Sequence, residues 1–206
     1  MRIIYSFTCL VCSLFFSHLS LAQTFQWVKT IGSNKEDQIT SIAASNDGFV
    51  YVTGNFQDTI DLDNGPRVYP LISERYNYYE GHLDTLGSAD RQLFLAKYTS
   101  DGQIVWGKQF GGSYLDFAGI VKLDNAGNIL LTGSYYFSID FNYSDSLNGF
   151  GISNAQNTFI AKFSPNGNLI WDRRYESGTY LPEYDYDYTN FIINDIAFND
   201  DNSMIL

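Results

Sequence analysis

Cysteine is almost missing from this 206-residue chain, and the two present, Cys9 and Cys12, both fall within the first 22 residues. Histidine is as scarce: His18 lies in the same segment, which leaves His82 alone beyond it. A disulfide framework is therefore excluded for the remainder, and a histidine-based triad would have to use His82. There is no Gly-x-Ser-x-Gly elbow and no glycine-rich phosphate loop. Basic residues are few, 12 against 23 acids, for a net charge of −11. A sequence-independent grip on nucleic-acid phosphates or an anionic membrane surface is electrostatically disfavoured. Helical periodicity is missing, and only four prolines interrupt the chain.

The 45% apolar and 17% aromatic content is enough to build a core. The N-terminus carries Arg2, an apolar stretch from Ile3 to Phe16, and Ser20-Leu21-Ala22, a small-x-small site. Residues 1–22 read as a cleaved secretory signal, with Gln23 as the mature N-terminus. The apolar stretch falls short of the ~20 residues of a membrane span, and no later run approaches that length. A secreted or cell-surface protein without membrane insertion is expected. Loss of Arg2 leaves 11 basic residues against 23 acids, a charge of −12. With no disulfide available, packing and hydrogen bonds must hold the mature chain, which suits a sheet-rich fold.

The chain repeats itself, the first thing to seek because it decides the fold. A shift of 79 residues places Trp27, Lys29, Gly32, Asp37, Asn46, Gly48, Thr53 and Gly54 on Trp106, Lys108, Gly111, Asp116, Asn125, Gly127, Thr132 and Gly133. A shift of 65 places Phe94, Ala96, Lys97, Gly102 and Trp106 on Phe159, Ala161, Lys162, Gly167 and Trp171. The first unit thus holds 14 more residues in its middle loop than the second. A third unit starts at Trp171 and matches the first at Ile193, Ile196, Ala197 and Asp201 with a shift of 154. Each unit reads as four short strands, in the first Ile39 to Ser45, Phe49 to Phe56, Leu93 to Tyr98 and Gln103 to Phe110. Asp-Gly and Asn-Gly pairs between apolar runs mark the hairpins, because glycine takes the positive φ of such turns.

These residues resemble the SBBP type of seven-bladed β-propeller repeat of exported bacterial proteins. The signature is fullest as Trp106, Lys108, Gly111, Gly112, Asp124, Gly127, Asn128, Thr132, Gly133, Phe159, Ile160, Ala161, Lys162, Asn166, Gly167, Asn168 and Trp171. Ser33 stands where Gly112 does, and Asn202 where a turn glycine belongs. The resemblance implies an all-β propeller of four-stranded antiparallel meanders, exported, with no catalytic residue set. The expected organisation is a signal peptide (1–22), a leading strand of the closing blade with its link (23–37), blade 1 (38–110), blade 2 (111–175) and a truncated blade 3 (176–206). A propeller needs about four to eight blades, so these residues read as an N-terminal fragment whose partner is propeller chain beyond residue 206. Trp27, Gly48, Gly54, Gly102, Trp106, Gly127, Gly133, Gly167 and Trp171 are the expected structural repeat positions.

Length variation is confined to the second turns and links, residues 57–92, 137–157 and 176–191, which a meander places on one face. Repeat proteins concentrate insertions on their binding face. These stretches hold 13 of the 23 acids and many tyrosines. Tyr76, Tyr78, Tyr79, Tyr184, Tyr186 and Tyr188 are candidate contacts to a glycan or protein at the cell surface, since a planar ring offers large contact area at low entropic cost; the alternative is that loop tyrosines pack the insertions onto the blades. Asp61 with Asp63, and Asp185 with Asp187, are the candidates for Ca²⁺, although Gly65, Pro66 and Ile72 break the EF-hand pattern. Without such an ion no cofactor is expected. A non-enzymatic binding or scaffold module is the reading, with a hydrolase acting on extracellular polysaccharide through loop carboxylates as the alternative.

Overall fold

The hairpin punctuation folds as four-stranded antiparallel sheets. The computed structural model describes residues 25–63, 65–73, 76–77, 82–83, 91–112, 115–136, 138–142, 156–175 and 193–205. The predicted signal peptide lies outside them. β1 (Gln38–Ala44) and β2 (Val50–Phe56) are followed by two short ribbons, β3 (Thr59–Asp61) with β4 (Pro70–Ile72), and β5 (Tyr76–Asn77) with β6 (His82–Leu83). The first sheet is completed by β7 (Gln92–Tyr98) and β8 (Ile104–Phe110), in the order β1-β2-β7-β8. A second sheet repeats it with β9 (Asp116–Leu123), β10 (Ile129–Tyr136), β11 (Gln156–Phe163) and β12 (Leu169–Tyr175). β13 (Ala197–Phe198) and β14 (Met204–Ile205) pair as a hairpin of the third unit. Among the described residues there is no helix.

Strand alternation sends neighbouring residues to opposite faces, and the inner strands are buried on both. In β7, Leu93 and Leu95 face the second sheet while Phe94, Ala96 and Tyr98 face away from it. Tyr51, Leu93, Leu95 and Phe110 meet Val121, Ile129, Leu131, Phe159 and Phe163 at the seam between sheets. There Phe110 stacks on Phe163 at 5.1 Å and Phe141 meets Phe159 edge-on at 4.9 Å. Leu130 and Ile160, on the far face of the second sheet, are covered by Ile193 and Ile196 of the third unit. Polar contacts reinforce the seam, the buried Asn55 side-chain oxygen accepting the Ala118 N–H at 2.5 Å.

The turns are three-residue loops rather than two-residue ones. In each, the N–H of the fourth residue bonds the carbonyl of the first, and the first N–H bonds the fifth carbonyl. Gly48 to Ser45 (3.1 Å), Gly102 to Thr99 (3.0 Å), Gly127 to Asp124 (2.9 Å), Gly167 to Ser164 (2.8 Å) and Asn202 to Asn199 (2.9 Å) share the geometry. The fourth position sits at φ 76° to 89° in the glycines. Asn202 adopts φ 66° there, which explains why the third unit manages without glycine, since asparagine tolerates the left-handed region best among other residues. Gly54 and Gly133 serve differently. They lie opposite β-bulges in β1 and β9, where the partner backbone presses into the space a Cβ would fill.

Two side-chain devices recur. Trp27 Nε1 donates to the Ser100 carbonyl at 2.7 Å, and Trp106 Nε1 to the Pro165 carbonyl at 3.3 Å. Ser100 and Pro165 are equivalent, so each tryptophan latches onto the third turn of the following sheet. The ring of Trp27 lies over Gly102, where any Cβ would stand 2.8 Å from it. Trp106→Phe keeps most of the packing and removes the donor, so urea unfolding should show a loss of about 1 kcal/mol.

The second device is the lysine of the Phe-x-Ala-Lys segment. Lys162 pairs with Asp124 at 2.7 Å. In the first sheet Ser45 replaces that aspartate, and the buried Lys97 instead lies 3.9 Å over the Phe49 ring and bonds the Pro165 carbonyl at 3.3 Å. Asp124, whose side chain is fully buried, also accepts from the Ala126 and Asn128 amides and the Asn128 side chain, at 2.8 to 2.9 Å. Burial opposes its charge, but these donors prevail and hold its pKa at about 2.

Candidate functional site

The first insertion is held against the first sheet by apolar and polar contacts. Ile60, Leu62 and Leu71 are buried against Val52, Phe94 and Tyr98. The Tyr98 hydroxyl donates to the Leu62 carbonyl at 3.0 Å. Burial, reinforced by the charges of Asp63 and Asp61, holds that phenol above its ordinary pKa, so it remains a donor. The Asp61 carboxylate closes the turn by accepting the Asp63 N–H (2.9 Å) and the Tyr69 N–H (2.7 Å).

Tyr69 packs onto the outer strand of the sheet. Its hydroxyl accepts from the Gly107 N–H (3.0 Å) and donates to the Gly107 carbonyl (3.2 Å). One step along, the Gln109 amide accepts from the Ile72 N–H (3.2 Å) and donates to the Ile72 carbonyl (2.9 Å). Gly107 is required by close approach: a Cβ there would stand 2.2 Å from the Leu62 methyl. The ribbon thus lies flat on β8.

The second insertion enters from the other side. The Asp140 N–H bonds the Gly111 carbonyl at 3.0 Å, and Ile139 and Phe141 are buried in the inter-sheet seam. Between the two insertions runs a groove of about 380 Å³ lined by Leu71, Ile72, Lys108, Phe110, Phe141 and Asn142 among others. It is shallow and open to solvent, and its lining joins apolar residues to Lys108, Gln109 and Asn142. Ile72 is 55% exposed at its edge. Among the described residues the opposite ends of the sheets carry tight turns, Gly48 lying against Ser100.

The candidates from the sequence divide. Asp63 is nearly buried and paired with Lys29 at 2.8 Å and Arg67 at 3.5 Å, and its carboxylate is held below the usual range first by the Lys29 hydrogen bond. Asp61 and Asp63 therefore serve the ribbon turn and its tie to the leading segment. Among the described residues no three carboxylate, histidine or cysteine side chains converge as a metal site would require. Tyr76 lies in β5; Tyr78, Tyr79, Tyr184, Tyr186, Tyr188, Asp185 and Asp187 lie outside the described residues. Of the groove residues, the sequence singled out Lys108 only as a repeat position, and Phe141 and Asn142 not at all. Their meeting depends on two insertions folding back to one seam.

The leading strand expected within residues 23–37 belongs to no sheet among the described residues, although Trp27, Lys29 and Ile31 all dock on the first sheet or its ribbon.

No curated protein matches the chain. Residues 26–55, which hold Trp27, Gly48 and Gly54, match the beta-propeller repeat family SBBP, and the stretch 79 residues downstream repeats those positions in the second sheet. This match and the antiparallel four-stranded sheets are together consistent with an SBBP-type beta-propeller repeat protein.

Proposed function

We propose that the chain is an exported propeller module that binds a glycan or protein ligand, without catalysis, on the face formed by its insertions. The observation that carries this reading is the meeting of Ile72 and Leu71 from the first insertion with Phe141 and Asn142 from the second at one groove. Length variation elsewhere in the chain would not need to converge; here it does. Among the described residues the charged group on that lining is the cation Lys108. The tyrosine-rich segments of the same insertions supply further aromatic contacts in this reading. The leader expected at residues 1–22 supports a location at or beyond the cell surface in this reading.

The test is a glycan array and a partner pull-down with the natively exported protein. A ligand found in either assay should bind at least about tenfold more weakly to Ile72→Asp and Asn142→Ala, whose folding is checked by circular dichroism. Undiminished binding by both variants moves the site elsewhere. Blank results in both assays reduce the module to a spacer.

A further inference from the structure

Internal repetition supplies a standard for the charge of the groove. With the shift of 79, Thr59-Ile60-Asp61-Leu62-Asp63 falls on Ser138-Ile139-Asp140-Phe141-Asn142, and Lys29 falls on Lys108. The two five-residue segments fold alike. Ile60 and Ile139 are both buried, and the carboxylate at the third position accepts the N–H of the fifth, at 2.9 Å from Asp63 to Asp61 and at 2.8 Å from Asn142 to Asp140. Only the end of the fifth side chain changes the chemistry. In the first unit it is a carboxylate, and Lys29 closes on it at 2.8 Å. In the second it is an amide, which cannot neutralise a lysine. Among the described residues no carboxylate stands within ion-pair distance of Lys108. Its stem lies instead across the third turn of the second sheet, where a Cβ on Gly167 would stand 2.7 Å from Lys108 Cε. The half-buried Lys108 and the exposed Asn142 both line the groove.

We propose, resting on the reading of this groove as the ligand site, that it receives one carboxylate of a protein ligand, held by Lys108 as Asp63 is held by Lys29, with an apolar side chain of the ligand beside it. Charge complementarity selects the carboxylate, since a charge-assisted hydrogen bond to an ammonium is about twice as strong as a neutral one. The net charge of −11 repels a polyanion, so a single acidic group fits where a run of them does not. The rest of the lining selects a peptide over a sugar. Leu71, Ile72 and Phe141 offer apolar contact, and the Gln109 amide is already committed to both backbone groups of Ile72. A sugar ring would bring several hydroxyls to a lining with few groups to replace their water, and each unreplaced bond costs affinity.

An NMR titration of the natural exported protein compares three probes: N-acetylleucine, whose carboxylate adjoins an isobutyl group, its neutral amide, and glucuronate. N-acetylleucine should bind about fivefold more tightly than either of the others, and its margin over the amide should shrink at high salt. It should bind about fivefold more weakly to Lys108→Gln and to Asn142→Asp. The second variant rebuilds in the second unit the pair that Lys29 and Asp63 form in the first, so it removes the free cation without removing a contact of the fold. Equal binding of the acid and the amide overturns the proposal, as does undiminished binding by Asn142→Asp or no binding of any probe. Tighter binding of glucuronate also overturns it, and assigns the groove to an acidic glycan. The groove as ligand site is judged separately, by the response to Ile72→Asp of a ligand found by array or pull-down: a ligand that Ile72→Asp weakens and Asn142→Asp does not leaves the groove standing and removes the carboxylate.

Discussion

Gly133→Ala should be among the most damaging single methyl additions in this chain. The added carbon would stand 2.2 Å from the Phe117 carbonyl oxygen and 2.6 Å from the Phe159 ring, far inside van der Waals contact. Neither neighbour can yield cheaply: one is the backbone of β9 at its bulge, and the other is a fully buried ring at the inter-sheet seam. The expected cost reaches or exceeds the ~3 kcal/mol upper end of ordinary overpacking. Gly54→Ala repeats the conflict in the first sheet, with the Gln38 carbonyl at 2.1 Å and the Phe94 ring at 2.8 Å. Gly127→Ala is the control. It meets nothing within 4 Å but sits at φ 79°, so its cost is that of a left-handed residue alone, about 1–2 kcal/mol. Urea midpoints for the three variants should therefore place Gly54→Ala and Gly133→Ala together, well below Gly127→Ala. Equal midpoints would mean that the crowding relaxes freely.

Asp124→Ala is expected to cost about 3 kcal/mol, the lower end for breaking a buried ion pair, since Lys162 keeps 19% exposure and some access to water. The substitution strands the Lys162 ammonium and leaves the Ala126 and Asn128 amides without their acceptor. It also loosens the tie to the third unit, because the Asn202 side chain donates to Asp124 at 3.4 Å and the Asn125 N–H to Asn202 at 3.1 Å. Asp124→Asn retains some of these bonds without the charge and should fall between the two. The folded-state pKa near 2 lies below the ordinary 3.8. Folding therefore favours the deprotonated form, and the stabilisation is present above pH 4 and lost as pH falls through 4 toward 2. Acid unfolding of the wild type should accordingly track this window, with a weaker pH dependence in Asp124→Asn. An identical acid profile in the variant would remove Asp124 from the account.

The strands and turns were legible because their signals are local. Val50 to Phe56 alternates on a pleated surface, and Asn46-Asp47-Gly48 needs only backbone chemistry to turn. The type of turn was less legible, since the third loop residue carries the positive φ whether the pair before it favours a two-residue loop or not. Gly54 and Gly133 were visible as repeated Thr-Gly pairs. A glycine inside a strand already signals a bulge or close approach, but the carbonyl that presses on it comes from another strand. The insertions were the least legible. Ile60, Leu62 and Leu71 look like scattered apolar residues in an acidic stretch, and their burial depends on the far face of β7. Tyr69 carries no local mark distinguishing it from the tyrosines around it, and Lys97 found its partner in an aromatic face only because Ser45 stands where Asp124 does in the next unit.

The ribbon laid along β8 bears on self-association. An outer strand offers a row of unpaired N–H and C=O groups to any other chain. Here the Tyr69 hydroxyl occupies both backbone groups of Gly107, and the Gln109 side chain ties the neighbouring step to Ile72. The insertion thus covers part of an edge to which another chain could add. A variant without Tyr69 and the 70–72 strand would leave that edge open to uncontrolled self-association.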